Sequence, residues 1–188
     1  MPAKNKIFRD SIHGYITINE DLVRKFIDTP QFQRLRRIKQ TNLDVLFPTA
    51  NQTRFEHSLG VYHLGRKLFN SILEKCPPKY LKELKSYRHT VEMACLLHDI
   101  GHAPLSHIGE AFYNTEEIVK ELKKEGIKIE TDYGLHEMMS VLIGIKVFGS
   151  KLKKGGYNKD LFFRLITKSI LDAEGCAKAT KLGKAIIA

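Results

Sequence analysis

Histidine and aspartate side chains recur in two short stretches of the sequence. RFEHSLGVYHLG, at residues 54–65, contains His57. LLHDIGHAPLSH, at residues 96–107, contains His98 and Asp99 side by side at the end of an apolar run. Divalent metals bind neutral imidazoles and ionised carboxylates that converge from rigid elements. These three side chains therefore predict a metal site.

Asp99 also has an interpretation that needs no metal. An ionised carboxylate at the end of a buried helix is costly unless it is paired or bound to a metal. The chain has 31 lysine and arginine residues, any of which can pair with it. The sequence leaves a metal ligand and a simple ion pair as alternatives for this residue.

Four further residues suit contact with phosphate. Arg54 has a planar guanidinium that can clamp a phosphate, although it can also pair with an acid such as Glu56. His102 and His107 lie on a segment broken by glycine and proline, and an imidazole with a pKa of about 6.5 suits phosphate contact or general acid catalysis. Both can equally be surface residues of a turn. His136, on an apolar helical stripe, can equally be a core histidine.

Two long helices are expected to position the first two stretches. Spacings of three and four residues predict a helix from about residue 54 to residue 74. Its predicted buried stripe contains His57, Val61, Leu64, Leu68 and Ile72. The segment TVEMACLLHDI is apolar on most sides, so a second, central helix is expected to end near the His98-Asp99 pair.

Shorter elements are predicted on either side of these helices. YITI, at residues 15–18, is typical of a strand, and Asn19 suits the N-cap of a following helix. Thr29-Pro30 starts another helix, whose Phe32, Leu35 and Ile38 face inward. Further helices are predicted over residues 109–125, 135–148 and 159–172. The elements together predict a mainly α fold with a minor N-terminal β element.

Composition and charge narrow the class of protein. The 188 residues suffice for one domain, and no run approaches the roughly 20 apolar residues of a membrane span. The N-terminus lacks the apolar stretch of a signal peptide, and Cys76, Cys95 and Cys176 are scattered, which favours reduced thiols and an intracellular location. The net charge of +10 indicates either a solvated lysine surface or attraction to nucleotide phosphates or nucleic acid.

The two histidine stretches resemble those of the HD-domain metal-dependent phosphohydrolases. Three upstream stretches strengthen the similarity to the deoxynucleoside triphosphate triphosphohydrolase branch, which includes the SAM- and HD-domain dNTPases: DSIHGYITI, LVRKFIDTPQFQRLRRIKQ and FPTANQTRFEHS. The resemblance covers about residues 6–148. It implies an HD-domain helical bundle, with residues 1–188 as one domain, and a divalent metal ion such as Fe, Mn, Ni, Zn or Mg.

The resemblance also implies roles for individual residues. The metal ligands of the family fall on His57, His98 and Asp99. The residues that contact or protonate phosphate fall on Arg54, His102, His107 and His136. The glutamine that meets the nucleobase falls on Gln40. The following segment, Thr41–Asp44, departs from the glycine-rich segment of the family, which leaves the base preference open.

The reaction that the resemblance implies is hydrolysis of a nucleoside triphosphate. A metal-activated water would attack phosphorus and release a nucleoside and triphosphate, with a histidine protonating the leaving oxygen. Cleavage of phosphodiesters or monophosphates is the alternative among HD-type reactions. A nucleotide-binding regulatory protein without turnover and a nucleic-acid-binding protein are the alternatives from other classes, although no stacking-aromatic motif supports the last.

Two expectations concern the rest of the molecule. In tetrameric relatives a second, regulatory nucleotide site exists, and its positions fall on Lys6, Asp28, Gln33 and Arg36, so a homo-oligomer (dimer or tetramer) is expected. The family also completes its metal site with a later aspartate in a D-x-x-D-Y context. Asp172 is the only late aspartate on a plausible helix, and its context does not match. We therefore expect residues 1–188 to be C-terminally incomplete as an HD domain and to have little turnover alone.

Overall fold

Helices make up most of the part of the chain that the structure describes. This computed structural model describes residues 4–41, 46–127, 129 and 133–167. A two-stranded antiparallel sheet precedes the helices. The prediction of a mainly α fold with a minor N-terminal β element is therefore confirmed.

The sheet is a hairpin of β1, Asn5–Asp10, and β2, Gly14–Asn19, with the first residue of β1 opposite the last residue of β2. The carboxylate of Asp10 accepts backbone N–H groups two and three residues ahead, which fixes the turn. Ile16 and Ile18 alternate with exposed residues and are buried, so one face of the hairpin packs on the helices.

Short helical turns follow the hairpin. They are α1 (Glu20–Leu22), a π-helical turn (Val23–Ile27), α2 (Pro30–Gln33) and a 3-10 turn (Arg34–Arg37). The side chain of Asn19 accepts the N–H of Asp21, as its predicted role of N-cap requires. Phe32, Leu35 and Ile38 are all buried, as predicted.

Longer helices form the body of the fold. They are α3 (Arg54–Lys75), α4 (Pro78–Ser86), α5 (Arg88–Leu97), α6 (Thr115–Lys124), α7 (Leu135–Lys153) and α8 (Lys159–Thr167), with a 3-10 segment (Ser106–Phe112) before α6. Helix α5 is central, as its apolar sequence predicts, and contacts α3, α4, α7 and α8. Its buried Met93, Leu96 and Leu97 belong to one core with Phe148 of α7 and Phe162 of α8.

The buried face of α3 differs from the predicted stripe. Leu64 and Leu68 are 50% and 65% exposed, whereas Phe55, Leu59 and Tyr62 are buried. Both sets recur at spacings of three and four, so periodicity does not choose between them. The set with two aromatic rings removes more apolar surface from water and packs inward. The predicted stripe was therefore wrong, and His57 lies beside a cleft instead of on the core face.

Three other predicted helices have different bounds. Helix α7 extends to Lys153, beyond its predicted end at residue 148. Residues 109–125 form two elements, because Asn114 caps α6 by accepting the N–H of Glu117. Gly126, with φ +76°, ends α6 as expected. Helix α8 ends at Thr167, and the rest of the predicted span, 168–172, lies outside the described residues.

None of the helices in the described ranges has the length and hydropathy needed to cross a membrane. This finding agrees with the absence of long apolar runs in the sequence.

Gly101, just after α5, allows α7 to pass close to the His98-Asp99 pair. A Cβ atom at this position would lie 2.3 Å from the backbone nitrogen of Ser140 and 2.4 Å from the carbonyl oxygen of His136. The N–H of Gly101 also donates to the hydroxyl of Ser140, at 2.8 Å. This glycine therefore sets the distance between the end of α5 and the first turns of α7.

We predict that Gly101→Ala lowers the free energy of unfolding by about 1–3 kcal/mol, because a methyl group would force two backbone segments apart. Gly149→Ala is the matched control. Gly149 lies within α7 with nothing near its missing Cβ, so alanine there should stabilise the helix by up to about 1 kcal/mol. Urea denaturation followed by circular dichroism measures both changes. Equal stability of the two variants would contradict this close approach.

Candidate metal centre and histidine cluster

Three of the predicted metal ligands converge on one point. His57 lies in the first turn of α3, and His98 and Asp99 follow the last turn of α5. The Nε2 atoms of His57 and His98 are 3.2 Å apart. One oxygen of Asp99 lies 3.3 Å from Nε2 of His98, and the other lies 3.7 Å from Nε2 of His57. The described residues thus offer three ligand atoms that could hold one metal ion.

The tautomer of His98 also fits metal binding. Its Nδ1 lies 2.9 Å from the carbonyl oxygen of Cys95, which can only accept a hydrogen bond. The proton therefore belongs on Nδ1, and Nε2 presents a lone pair towards His57 and Asp99. A histidine ligand that donates its other N–H to a backbone carbonyl is the usual arrangement in metal sites. The residues present consequently fit a divalent cation.

Arg54 supplies a nearby positive charge for the buried carboxylate. Asp99 is 4% exposed and Arg54 is 2% exposed, and Nη1 of the arginine donates to Asp99 at 2.6 Å. Both interpretations of Asp99 thus have a structural basis, since the same carboxylate is ion-paired and faces two imidazoles. Glu56, the alternative partner of Arg54, instead accepts the backbone N–H of Thr53 and caps α3.

The electrostatic environment favours the protonation states that a metal requires. Burial raises the pKa of Asp99, but the hydrogen bond from His102 and the charges of His98 and Arg54 outweigh it and hold that pKa well below its usual value. Burial lowers the pKa of His57, partly offset by the carboxylate of Asp99. An ionised aspartate therefore faces a neutral imidazole near neutral pH.

A strained turn brings a serine to Arg54. Leu105 and Ser106 have φ angles of 66° and 57°, in the left-handed region that residues other than glycine seldom adopt. Ser106 is buried, and its hydroxyl oxygen accepts hydrogen bonds from Nε and Nη2 of Arg54. The turn therefore fixes the orientation of the guanidinium, and such strain is commonly retained at functional sites.

The predicted phosphate-contacting histidines form a second group with Glu110. One oxygen of Glu110 lies 2.6 Å from Nδ1 of His107, 2.9 Å from Nδ1 of His136 and 3.8 Å from Nδ1 of His102. The rings of His102 and His136 are stacked, with centroids 4.0 Å apart. We call these four residues the histidine cluster. His136 therefore belongs to this cluster and is not an isolated core histidine.

The pKa values of His102, His136 and Glu110 are shifted by burial and by neighbouring charges. Burial lowers the pKa of His102, and Asp99 partly opposes this. Burial lowers the pKa of His136 as well, against the charge of Glu110. Burial raises the pKa of Glu110, but His136 and His107 outweigh it and leave the pKa below its usual value.

Side chains that the sequence analysis missed hold the loop after Asp99. Arg34 donates to the carbonyl oxygens of Ile100 and His102, at 2.8 and 2.6 Å. The hydroxyl of Tyr113 donates to the carbonyl oxygen of Gly101. Glu110, at the centre of the histidine cluster, was also missed. Its position three residues after His107 is a helical spacing that could have indicated it.

Gln40 lies on the same cleft as His57. The cleft has a volume of about 750 Å³ and reaches from the hairpin turn to the N-terminal half of α3. Ile12, Val61 and Leu64 form its apolar lining. The side-chain oxygen of Gln40 is buried and has no hydrogen-bond partner among the described residues. A rotation of the Gln40 side chain would bring this acceptor to a ligand in the cleft.

The four residues of the expected regulatory site form two separate pairs. Lys6 and Asp28 are ion-paired at 3.2 Å, and both are exposed. Gln33 accepts a hydrogen bond from Arg36 at 2.8 Å, and the Arg36 guanidinium lies 3.5 Å from the centre of the Phe55 ring. Asp172 lies outside the described residues.

Comparison with known proteins identifies relatives of this chain. Human deoxynucleoside triphosphate triphosphohydrolase SAMHD1 is 47% identical over 104 residues, which are 55% of this chain and 16% of that protein. The SAMHD1 homolog of Dictyostelium discoideum is 38% identical over 140 residues, 71% of this chain and 27% of that protein. Uncharacterized protein YwfO of Bacillus subtilis is 37% identical over 115 residues, 61% of this chain and 26% of that protein. The chain thus spans only about a quarter or less of the length of these relatives.

The family model of the HD domain matches residues 54–154, which is more than half of the chain. The matched region begins at Arg54 and includes both groups of ligand atoms and the helices α3, α5 and α7 that bear them. The resemblance inferred from the motifs is thereby confirmed. The chain belongs to the HD domain family.

Proposed function

We propose that this HD domain is a metal-dependent phosphohydrolase of deoxynucleoside triphosphates, releasing a nucleoside and triphosphate. The observation that supports this most is the adjacency of two groups with different chemistry. His57, His98 and Asp99 suit a cation, and the histidine cluster and Arg54 beside them suit the phosphates of an anionic substrate. The names of the SAMHD1 relatives support the choice of substrate.

His57, His98 and Asp99 would hold the divalent metal ion. Two neutral nitrogens and one carboxylate suit Fe, Mn, Ni or Zn better than Mg, which prefers oxygen ligands. When bound, such an ion supplies an activated water nucleophile and offsets charge on phosphate oxygens. The Nδ1–H of His98, held by the carbonyl of Cys95, would keep that ring in its ligand orientation.

Arg54 would orient the triphosphate. A guanidinium has five N–H groups, and three of them already donate to Asp99 and Ser106. One N–H on each terminal nitrogen is left for phosphate oxygens. Because Ser106 and Asp99 fix the plane of the guanidinium, little side-chain entropy would be lost on binding.

The histidine cluster would contact phosphate and donate a proton to the leaving oxygen. Glu110 would orient the rings of His107 and His136 through their Nδ1 atoms. Their Nε2 atoms would then be the atoms that meet the substrate. His107 is the most exposed member, with a side chain 64% exposed, and is therefore the best placed to reach a substrate in solution.

The nucleoside would extend into the cleft next to His57. The volume of about 750 Å³ accommodates a base and a sugar, and apolar Ile12, Val61 and Leu64 would contact a planar base. The side-chain oxygen of Gln40, which has no partner among the described residues, would turn to accept a hydrogen bond from the base. Residues 42–45, which adjoin Gln40, lie outside the described residues, so the base preference is not part of the proposal.

Further proposals concern partners. Lys6, Asp28, Gln33 and Arg36 would contact a regulatory nucleotide in a homo-oligomer, and the exposed ion pair of Lys6 with Asp28 would open to do so. The net charge of +10 would assist attraction of nucleotides and, more weakly supported, of nucleic acid. Binding of a labelled nucleotide to Lys6→Ala, compared with Lys4→Ala, tests the regulatory site.

We predict that His57→Ala loses most of the bound Mn or Fe of the purified protein, because one of three convergent ligands is removed. His63→Ala is the matched control, since His63 lies on the same helix and outside both groups of ligand atoms. Inductively coupled plasma mass spectrometry gives the metal content per chain. An unchanged metal content in His57→Ala would show that the ligand set is wrong.

We also predict that the metal-loaded chain releases triphosphate from deoxynucleoside triphosphates at a low rate, in line with the little turnover expected from the sequence, and that Arg54→Lys lowers the kcat/KM of this residual activity about ten- to a hundredfold. Lysine keeps the charge but loses the paired N–H groups, worth about 1.5–3 kcal/mol in charged hydrogen bonds. Phosphorus NMR identifies triphosphate directly. Arg66→Lys, on the same helix, is the control and should retain activity.

The same assay separates the alternative reactions. Release of pyrophosphate or of single phosphates, or cleavage of a phosphodiester substrate without triphosphate release, would indicate a different HD-type reaction. Nucleotide binding by the metal-loaded chain without any product would favour the regulatory alternative. Either result would refute the proposed triphosphohydrolase activity of this chain.

A further inference from the structure

The histidine cluster has the composition of a metal site in its own right. His102, His107, Glu110 and His136 each offer one ligand atom, and the four atoms lie within 4.8 Å of one another. The three imidazoles direct Nδ1 towards one oxygen of Glu110. The distances are 2.6 Å for His107, 2.9 Å for His136 and 3.8 Å for His102. Four donors from three different segments therefore surround one small volume.

One of the four donors is buried and lacks a partner. His102 is 1% exposed, and its Nδ1 has no hydrogen-bond partner among the described residues. A buried polar atom without a partner is costly and requires an explanation. The contact of Nε2 with Asp99 accounts for the orientation of the His102 ring, but it leaves the inward Nδ1 without a partner among the described residues.

We propose that the histidine cluster is a second transition-metal site, which takes Zn²⁺ through three imidazole nitrogens and one carboxylate oxygen. Imidazole and carboxylate ligands suit zinc, and four donors complete its usual tetrahedral shell. Zinc–ligand bonds of about 2.0–2.1 Å place tetrahedral ligand atoms about 3.3 Å apart. The three observed distances from Glu110 lie on both sides of this value, and each would change by under about 1 Å to reach it.

The surroundings of His102 support the assignment. Its Nε2 lies 3.5 Å from an oxygen of Asp99. A histidine that binds a metal through one nitrogen commonly donates the other N–H to a carboxylate. The backbone oxygen of His102 is also held by Arg34, which fixes this ligand before any metal arrives. The exposed side chain of His107 provides a route from solvent.

Asp99 would connect this site to the first one. The carboxylate faces His57 and His98 on one side and His102 on the other. Where the proposed hydrolysis holds, zinc in the cluster would occupy the side chains that meet the substrate, and would inhibit turnover. The zinc site itself does not depend on that activity, because it is defined by binding in the absence of nucleotide.

Zinc titration of the metal-free protein tests the proposal. Chelator-treated protein is titrated with Zn²⁺ in a calorimeter, and equivalents with Kd below about 10 μM are counted. One equivalent should be lost in Glu110→Gln and kept in the double variant His57→Ala/His98→Ala. Glu116→Gln is the matched control, since Glu116 is an exposed glutamate in the first turn of α6. It should bind as many equivalents as the unchanged chain.

Zinc X-ray absorption of the double variant provides the second measurement, and needs no change within the cluster. We expect a shell of three imidazole nitrogens and one oxygen. Circular dichroism shows whether Glu110→Gln folds. If it does not fold, the absorption spectrum of the double variant and the zinc titration of His136→Gln test the proposal instead. Failure of the folded double variant to bind zinc would overturn the proposal, as would Glu110→Gln and His136→Gln both binding as many equivalents as the unchanged chain. Neither of these zinc-binding results tests triphosphate release. The zinc site can therefore be refuted without refuting the proposed triphosphohydrolase activity, and the reverse also holds.

Discussion

The buried carboxylate of Asp99 requires neighbouring cations or hydrogen-bond donors, and the arrangement around it follows from this requirement. At 4% exposure, its charge is sheltered from water and would be costly without compensation. Arg54 provides the nearest cation, and His57, His98 and His102 surround the two oxygens. A carboxylate held ionised between imidazoles is what a divalent cation needs, so the contacts that stabilise this charge also suit the proposed binding of a metal ion.

Backbone packing keeps these groups at fixed distances. Gly101 lets α7 approach the loop after α5, and this approach brings His136 to the histidine cluster. Arg34 and Tyr113 hold the carbonyl oxygens of the same loop from other directions. The loop that bears the candidate site residues is consequently restrained by α7, by the turn after α2 and by Tyr113 at the end of the 3-10 segment, as precise placement of ligands requires.

The sequence indicated which candidate site residues would converge, but it did not indicate how helix α3 packs. The convergence of His57 with the His98-Asp99 pair was predictable because these residues lie at helix ends with familiar motifs around them, and the structure brings their ligand atoms together. The buried face of α3 was not predictable, because two stripes with the same spacing compete and only the neighbouring helices decide between them. Glu110 was missed for a related reason: its partner His136 lies on another helix, and a single sequence contains no direct signal for that contact.

The account depends most on the claim that His57, His98 and Asp99 share one cation. Anomalous diffraction from crystals of the manganese-loaded protein tests this most directly, because it locates the ion without relying on activity. The account predicts a manganese peak at bonding distance from Nε2 of His57, Nε2 of His98 and one oxygen of Asp99. A crystal in which manganese binds elsewhere, with the ion pair of Arg54 and Asp99 intact and no peak between the two imidazoles, would contradict it.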